Sequence, residues 1–268
     1  MSLRDQFAIV LGASSGFGEA ISLRLAEAGM HIVGVHLDRR STLGHVEEIK
    51  EKIAAMGREA WFFNLNAADE VKRRSTLDAV AEKIAARGRG ETVKVLVHSL
   101  AFGSLRGLVP PRETPDDALT RMQLEMTLDV MAHSFAYWVQ DALRRDMLTD
   151  HGRVYAMTST GSRAGWPAYG AVSAAKAALE AYVRQFAVEG AARGFTANAL
   201  CAGVTRTPAL DKIPNSEALA ARALAKHPAG RLTVPDDVAR AVVALASEHT
   251  DWLNGNVLFI DGGEAAAG

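Results

Sequence analysis

The sequence has little cysteine, no excess of either charge and no long apolar run, and each shortage narrows the function. Cys201 is the only cysteine, so no internal disulfide can form, and its Gly/Ala-rich surroundings favour a packed, inert thiol. The 30 Lys and Arg residues against 31 Asp and Glu provide no basic field for nucleic acid or anionic lipid. No apolar run approaches the roughly 20 residues of a bilayer span, and the first residues lack a cleavable leader pattern. We therefore expect a cytoplasmic protein without nucleic-acid or membrane partners.

The order of apolar segments predicts one α/β domain. Short apolar runs alternate with longer amphipathic ones, and no repeat, low-complexity tract or Pro/Gly linker divides the 268 residues. This alternation favours a parallel sheet that is covered on both faces and connected by right-handed crossovers. We predict a single-domain Rossmann fold over residues 1–268, a doubly wound parallel sheet of about seven strands with helices on both faces. Most prolines fall in Ser104–Pro115 and Val204–Pro235, which we expect to be loops beside the site or a lid.

A glycine-rich turn follows the first predicted strand and opens the first predicted helix. Residues 12–18 read Gly-Ala-Ser-Ser-Gly-Phe-Gly. Glycines at Gly12, Gly16 and Gly18 permit a tight turn, close approach of the backbone to a pyrophosphate and close packing of helix on strand, with the anion at the positive helix end. The Gly-x-x-x-Gly-x-Gly spacing differs from the older dinucleotide fingerprint. It resembles the short-chain dehydrogenase/reductase superfamily, and that resemblance extends over nearly the whole chain.

The end of the second predicted strand bears on the choice of cofactor. A carboxylate at this point binds the ribose 2′-hydroxyl of NAD, whereas a 2′-phosphate needs cationic donors and is repelled by a carboxylate. Alignment with the superfamily places His36 at the strand end, and Arg39 and Arg40 follow. The two arginines either clamp a 2′-phosphate or stay solvated, and Ser15 stands where relatives frequently have a basic residue. We expect NADP(H) to be preferred, with NAD(H) as the alternative.

Further cofactor contacts follow from the resemblance. Asn66 and Ala67 fall where relatives hold the adenine ring, although a simple turn also explains them. The backbone of Thr205 would fix the carboxamide, and Thr207 would reach the pyrophosphate. The loop and the resemblance together indicate these cofactor-binding residues: Gly12, Ser14, Ser15, Gly16, Phe17, Gly18, His36, Arg39, Arg40, Asn66, Ala67, Ser99, Leu100, Ala101, Lys176, Gly203, Thr205 and Thr207.

A tyrosine and a lysine lie at an unusual spacing on a predicted alanine-rich helix. Most carbonyl reductases of the superfamily have Tyr-x-x-x-Lys, in which the lysine binds the nicotinamide ribose and lowers the pKa of the tyrosine. Here Val172 stands four residues before Lys176, and the nearest upstream phenol, Tyr169, stands seven residues before it. Because two helical turns take about 7.2 residues, both side chains can still reach one pocket.

The displaced phenol suits another reduction, because hydride transfer to C3 of an α,β-unsaturated thioester puts the enolate oxygen farther from the nicotinamide than in carbonyl reduction. The Tyr-x6-Lys spacing resembles that of enoyl-acyl-carrier-protein reductases. So do His-Ser-Leu-Ala from His98, Asp129 on the next helix, and Ala199–Thr207, in which Val204 replaces a proline. Ser159, ten residues before Tyr169, is the residue type of a carbonyl reductase. Its combination with the longer spacing resembles the NADPH-dependent enoyl reductase III branch.

The resemblance implies three catalytic residues: Tyr169 for the enolate oxygen, Lys176 for the ribose hydroxyls and Ser159 for the substrate carbonyl. We therefore expect an NADPH-dependent enoyl-acyl-carrier-protein reductase of fatty acid synthesis, acting on a 2-enoyl thioester held by acyl carrier protein. A ketone or aldehyde reductase and a non-catalytic dinucleotide sensor remain as alternatives.

Two further expectations concern metals and subunits. The eight histidines show no ligand spacing with cysteines or carboxylates, so we expect no metal site. The helix predicted from Asp116 to Met147 and the one from Tyr169 to Arg193 have more apolar surface than one sheet face covers. In relatives these helices pair between subunits, which implies a homotetramer.

Overall fold

Seven parallel strands form one sheet in the computed structural model, which describes residues 3–114 and 116–267. The strands are β1 (Phe7–Leu11), β2 (His31–His36), β3 (Ala60–Asn64), β4 (Val93–His98), β5 (Leu148–Thr158), β6 (Thr196–Ala202) and β7 (Val257–Ile260). Their order across the sheet is β3-β2-β1-β4-β5-β6-β7, and each neighbouring pair runs parallel. The predicted doubly wound sheet is thereby confirmed.

Helices cover both faces of this sheet. They are α1 (Gly16–Glu27), α2 (Leu43–Ala55), α3 (Glu70–Arg87), α4 (Arg121–Leu128), α5 (Ser134–Arg144), α6 (Gly170–Gly190), α7 (Ser216–Lys226) and α8 (Pro235–Leu245). Buried side chains of α1, α2 and α8 pack on one face, and those of α3, α5 and α6 pack on the other. The two apolar clusters account for the continuous apolar strands. Along β4, for example, Val95 and Val97 enter one cluster while Leu96 enters the other.

The predicted helix from Asp116 to Met147 is shorter and interrupted. It begins at Arg121, because Thr120 and Gln123 form a reciprocal capping box: the Thr120 hydroxyl accepts the Gln123 amide, and the Gln123 side chain accepts the Thr120 amide. A wider, π-type turn at Asp129–His133 then separates α4 from α5. Pro115, the predicted end of the preceding loop, lies outside the described residues.

The second proline-containing segment, Val204–Pro235, was predicted as a loop or lid. It contains a helix, α7, as well as a short 3₁₀ turn at Leu210–Lys212. Pro235, its last residue, is the first residue of α8 rather than a loop residue. The segment is therefore a helical excursion between β6 and β7.

The strand order places a crevice where a ligand is expected. The chain winds outward from β1 through β2 to β3 and then returns to the other side of β1 at β4. In open α/β sheets, ligands bind outside the carboxyl ends of the strands at this switch in direction. The glycine-rich turn after β1 and the His98 segment after β4 both lie at this point.

Candidate active site

Two glycines of the loop after β1 have no room for a side chain. A Cβ on Gly12 would lie 2.4 Å from the Ser99 carbonyl oxygen, and one on Gly18 would lie 2.0 Å from the Gly12 carbonyl oxygen. Gly12 also has a positive φ of 88°, which favours glycine. The loop thus fits against the end of β4, and α1 starts directly over it.

A cleft of about 1030 Å³ opens beside this loop. Eight of the predicted cofactor residues line it: Ser14, Ser15, Gly16, Asn66, Ala67, Leu100, Ala101 and Thr207. The size, the glycine loop and the exposed start of α1 suit an extended ligand with a pyrophosphate, because backbone amides at a helix start attract anions. The residues present therefore fit a dinucleotide.

Other predicted cofactor residues support the cleft from behind. Gly12 and Gly18 pack internally as described above, and Phe17 packs against the apolar cluster beneath α1. Ser99 donates its backbone amide to the Leu11 carbonyl, which joins the ends of β1 and β4. These residues shape the cleft rather than line it.

The predicted 2′-phosphate residues do not come together at the cleft. His36 is buried at the end of β2, where its Nδ1 lies 3.0 Å from an Asp38 carboxylate oxygen. Arg39 and Arg40 are exposed, and neither is among the described residues that line the cleft. The roles of Arg39 and Arg40 towards a 2′-phosphate therefore stay a prediction.

Asp38 was not among the predicted site residues, yet its carboxylate lines the cleft. It is 17% exposed and accepts a 2.8 Å hydrogen bond from the Thr42 hydroxyl. Burial alone would raise its pKa, but hydrogen bonds from Ser14, Thr42 and His36 outweigh burial and hold the pKa below its usual value. A negative charge therefore stands beside the glycine loop. The sequence did indicate this residue, because Asp38 is the only carboxylate in the segment His36–Arg40.

The segment after β6 closes another side of the cleft. A Cβ on Gly203 would lie 2.4 Å from the Thr233 hydroxyl oxygen, so the chain passes close to the start of α8. Thr205 is buried and donates its hydroxyl to the Gly203 carbonyl. The Thr207 methyl lies near Gly16, where a Cβ would be 3.4 Å away, which brings Thr207 to the glycine loop.

Lys176 is buried in α6 and faces the ends of two strands. Its ammonium donates a 2.7 Å hydrogen bond to the Met157 carbonyl on β5 and lies 3.4 Å from the Leu100 carbonyl after β4. Burial lowers its pKa to about 8, with Cys201 and Glu180 opposing that shift. The ammonium therefore lies at the carboxyl ends of β4 and β5.

Tyr169 lies one residue before α6, at the end of a tight turn. Its amide donates to the Trp166 carbonyl, and its ring lies beside Gly161 together with the hydroxyl oxygen of Ser159, which follows β5. Burial raises the pKa of the phenol, and the Ser159 side chain only partly opposes this. A Cβ on Gly161 would lie 2.5 Å from the Tyr169 ring, so the ring is held closely from that side. The structure thus brings Tyr169, Ser159 and Lys176 to one end of the sheet.

The remaining tyrosines are engaged elsewhere. Tyr155 donates its hydroxyl to the Leu245 carbonyl on the opposite sheet face, Tyr182 pairs with His133, and Tyr137 is on the surface of α5. Val172, at the position of the usual catalytic tyrosine, is buried in the core. Of the tyrosines that the structure describes, Tyr169 is therefore the one that lies at the same end of the sheet as Lys176.

His98 at the end of β4 is fully buried and neutral. Its Nε2 lies 2.9 Å from the Ser134 hydroxyl, whose own proton goes to the Val130 carbonyl. Burial, together with the nearby charge of Lys176, lowers the pKa of His98 to about 3. The histidine therefore joins β4 to the wide turn at Asp129–His133. It stays neutral, because its pKa lies far below neutral pH.

Metal sites and membrane-spanning helices are two further features that the described residues can be checked for. Residues 3–114 and 116–267 contain no group of three His, Cys, Asp or Glu side chains arranged to hold a metal ion. Within the same ranges, no helix is long and apolar enough to cross a membrane.

Comparison with known proteins agrees with this fold. A family model described as enoyl-(acyl carrier protein) reductase matches residues 12–264, and the chain therefore belongs to this family of the short-chain dehydrogenase/reductase superfamily. It is an oxidoreductase of that superfamily.

The individual relatives described below are each less than 30% identical to this chain. The chain is 29% identical to 3-oxoacyl-[acyl-carrier-protein] reductase of Escherichia coli (strain K12), over 98% of both chains. A short-chain dehydrogenase from Burkholderia cenocepacia J2315, solved with NADP, has a TM-score of 0.84 at 27% identity and covers 99% of this chain and 100% of that one. An enoyl-(acyl-carrier-protein) reductase from Anaplasma phagocytophilum, solved with NAD, has a TM-score of 0.82 at 19% identity, with coverage of 100% and 95%. The last likeness concerns the fold alone.

Proposed function

We propose that this chain reduces the C2–C3 double bond of a 2-enoyl thioester. The observation that carries the proposal is the position of Tyr169, seven residues before Lys176 and beside Ser159 at Gly161, with Val172 packed in the core where a carbonyl reductase has its phenol. A phenol one helical turn nearer the start of α6 suits an oxygen remote from the carbon that is reduced.

The side chains of the site can stabilise the negative charge that develops on the substrate during the reduction. A bound nicotinamide dinucleotide supplies the hydride to C3. The electron pair of the double bond then moves to the thioester oxygen, which needs a hydrogen-bond donor as it becomes an enolate oxygen. Because burial raises the pKa of Tyr169, its phenol stays protonated at neutral pH and donates that bond. Protonation at C2 completes the reduction.

Lys176 has the charge required to hold a ribose. With a pKa of about 8, it is an ammonium at neutral pH and has three N–H donors. The Met157 carbonyl accepts one of these at 2.7 Å, which fixes the ammonium in place. The Leu100 carbonyl accepts a second at 3.4 Å, so the third donor is available for a nicotinamide ribose hydroxyl.

For the cofactor, we propose NADH rather than the NADPH that the sequence favours. Asp38 supplies a carboxylate beside the glycine loop, where it can accept hydrogen bonds from a ribose diol and repel a 2′-phosphate. Arg39 and Arg40, the expected phosphate ligands, are exposed and are not among the described residues that line the cleft. The negative charge of Asp38 beside the glycine loop thus supports NADH.

A carbonyl reductase is the second candidate. The proximity of Ser159 to Tyr169 favours it, because the pair could polarise a carbonyl oxygen directly. The 29% identical relative from Escherichia coli is named for 3-oxoacyl reduction. Both candidates use the same three side chains, so the substrate decides between them.

Initial rates of NADH oxidation with crotonyl and acetoacetyl thioesters separate the candidates. We expect turnover of the crotonyl compound, a loss of about a hundredfold or more in Tyr169→Phe at unchanged dinucleotide affinity, and full activity in the surface control Tyr137→Phe. Turnover of the acetoacetyl compound alone would establish the carbonyl reductase. Dinucleotide binding without turnover of a broad carbonyl and enoyl panel would point to a sensor.

The acyl carrier and the assembly are part of the same proposal. We propose acyl carrier protein as the acyl donor, in the cytoplasm, and expect a lower KM for crotonyl-acyl carrier protein than for crotonyl-coenzyme A. We also propose a homotetramer, because β7 is an edge strand with Phe259 47% exposed, and Trp252 and Val188 nearby are 96% and 75% exposed. Trp252→Glu should reduce the mass measured by light scattering, and a monomeric wild type would contradict the assembly.

A further inference from the structure

Glu180 is a buried carboxylate one helical turn beyond Lys176. The residue is 5% exposed, although it lies on a helix whose acidic residues would ordinarily face water. Its Oε1 accepts two hydrogen bonds, from the Thr158 hydroxyl at 2.7 Å and from the Ser162 hydroxyl at 2.7 Å. Oε2 lies 3.6 Å from the Arg163 guanidinium. The carboxylate therefore bridges α6 to the segment that follows β5.

The two hydroxyl donors lie on either side of Ser159. Thr158 is the last residue of β5, and Ser162 ends the short 3₁₀ turn Thr160–Ser162. Between these two residues, the Ser159 hydroxyl oxygen accepts the Gly161 amide at 3.1 Å, and a Cβ on Gly161 would lie 3.4 Å from that oxygen and 2.5 Å from the Tyr169 ring. The position of the Ser159 hydroxyl thus depends on two anchors that Glu180 holds.

Lys176 fastens the same strand end from the same helix face. Residues four apart on a helix lie one above the other, and Lys176 donates to the Met157 carbonyl while Glu180 accepts from Thr158. Consecutive residues of β5 are therefore tied to consecutive turns of α6. The helix that carries Lys176, and begins beside Tyr169, also sets the strand end that carries Ser159.

Stability alone does not call for an acid at this position. Burying a carboxylate is costly, and replacing buried polar groups by apolar ones of similar shape is often neutral or stabilising. A leucine at 180 facing apolar residues at 158 and 162 would join the two elements more simply. The hydrogen bonds instead fix the positions of Thr158 and Ser162 relative to α6, because a hydrogen bond requires a specific direction between donor and acceptor.

We propose that Glu180 is a positioning residue for the reduction: by holding Thr158 and Ser162, it sets the Ser159 hydroxyl against the Tyr169 phenol. The inference rests on the proposed function, since it requires Ser159 and Tyr169 to act on the substrate. Glu180 itself is bonded to Thr158 and Ser162 and is not among the described residues that line the cleft.

A double-mutant cycle tests the proposal. Glu180→Ala removes the acceptor of both hydroxyls, and a misplacement on the order of 1 Å at a reacting group costs up to about a hundredfold. We expect kcat to fall about ten- to hundredfold while KM for the dinucleotide changes by less than about twofold. In a Ser159→Ala background, the same change should lower kcat by less than about twofold, because its target is gone.

Two further variants separate positioning from folding and from charge. Glu180→Gln keeps an oxygen acceptor without the charge and should retain most of the activity. If Glu180→Ala does not fold, Ser162→Ala, which removes one of the two bonds, replaces it in the cycle. Equal loss in both backgrounds, or no loss in either, would overturn the positioning role.

If the proposed function is wrong, the variants lose and keep activity in a different combination than if only the positioning role is wrong. If Tyr169→Phe and Ser159→Ala both keep full turnover, the catalytic site itself is wrong and the positioning role falls with it. If those two variants lose activity while Glu180→Ala keeps it, only the positioning role is wrong.

Discussion

Replacing Asp38 by asparagine tests how the cleft selects between NADH and NADPH. The carboxylate is 17% exposed, is held by Thr42, His36 and Ser14, and has a pKa below its usual value, so it is charged throughout the neutral range. Asparagine keeps an oxygen acceptor for the Thr42 hydroxyl but removes the charge. The variant should therefore fold normally and lose its discrimination against a 2′-phosphate.

The expected size of the change follows from the charges. Two unit charges about 4 Å apart repel by about 4 kcal/mol at an effective dielectric of about 20, and solvent at the open cleft reduces this to about 2 kcal/mol. Removing the repulsion should strengthen NADPH binding about 30-fold. Loss of a charged acceptor for the ribose diol should weaken NADH binding about tenfold. The ratio of the two dissociation constants should therefore change by roughly 300-fold.

Titration calorimetry or quenching of tryptophan fluorescence gives both dissociation constants. Glu47→Gln, which removes an exposed carboxylate from α2, serves as the matched control and should leave the ratio unchanged. Tighter binding of NADPH than NADH by the wild type, or an unchanged ratio in Asp38→Asn, would refute the assignment of Asp38 to the ribose.

Three other predictions follow from contacts and burial. Gly161→Ala should lower kcat about tenfold at unchanged dinucleotide affinity, because its Cβ would lie 2.5 Å from the Tyr169 ring, whereas Gly165→Ala, which meets open space, should behave as wild type in the same assay. Burial lowers the pKa of Lys94, whose ammonium has no hydrogen-bond partner among the described residues, from 10.5 to about 8. Its unfolded form thus binds more protons between these values, so Lys94→Met should be more stable by about 1–3 kcal/mol below pH 8, and denaturant unfolding should show this advantage vanishing as pH rises towards 10.5. Because Lys176 must be an ammonium and has a pKa of about 8, a pH profile of kcat/KM should fall above pH 8, and a flat profile to pH 9.5 would contradict its role.

The strands and the phosphate loop follow directly from local sequence. Several strands are short apolar runs, such as Phe-Ala-Ile-Val-Leu in β1, which is buried throughout. The close contacts of Gly12 and Gly18 explain why that turn is recognisable without any structure. In both cases neighbouring residues determine the conformation, so a sequence pattern suffices.

Features that depend on distant contacts were missed. The helix Ser216–Lys226 is rich in alanine and leucine, which is a strong helix signal, but the surrounding prolines suggested a loop. The sequence pattern places His36, not Asp38, at the end of the strand. Only the fold of residues 37–42 brings the Asp38 carboxylate to the glycine loop. An acid four residues after a lysine ordinarily indicates a surface pair, and only the packing of α6 on β5 shows Glu180 to be buried.

The position of the transferred hydrogen tests the central claim most directly. Incubation of the wild-type protein with crotonyl thioester and NADH carrying deuterium on the transferred position of C4, followed by mass spectrometry and NMR of the product, locates the label. We expect a saturated butyryl thioester with deuterium at C3 and a proton from solvent at C2. Label found only in the carbinol of a parallel acetoacetyl reaction, with the crotonyl compound unchanged, would contradict the account.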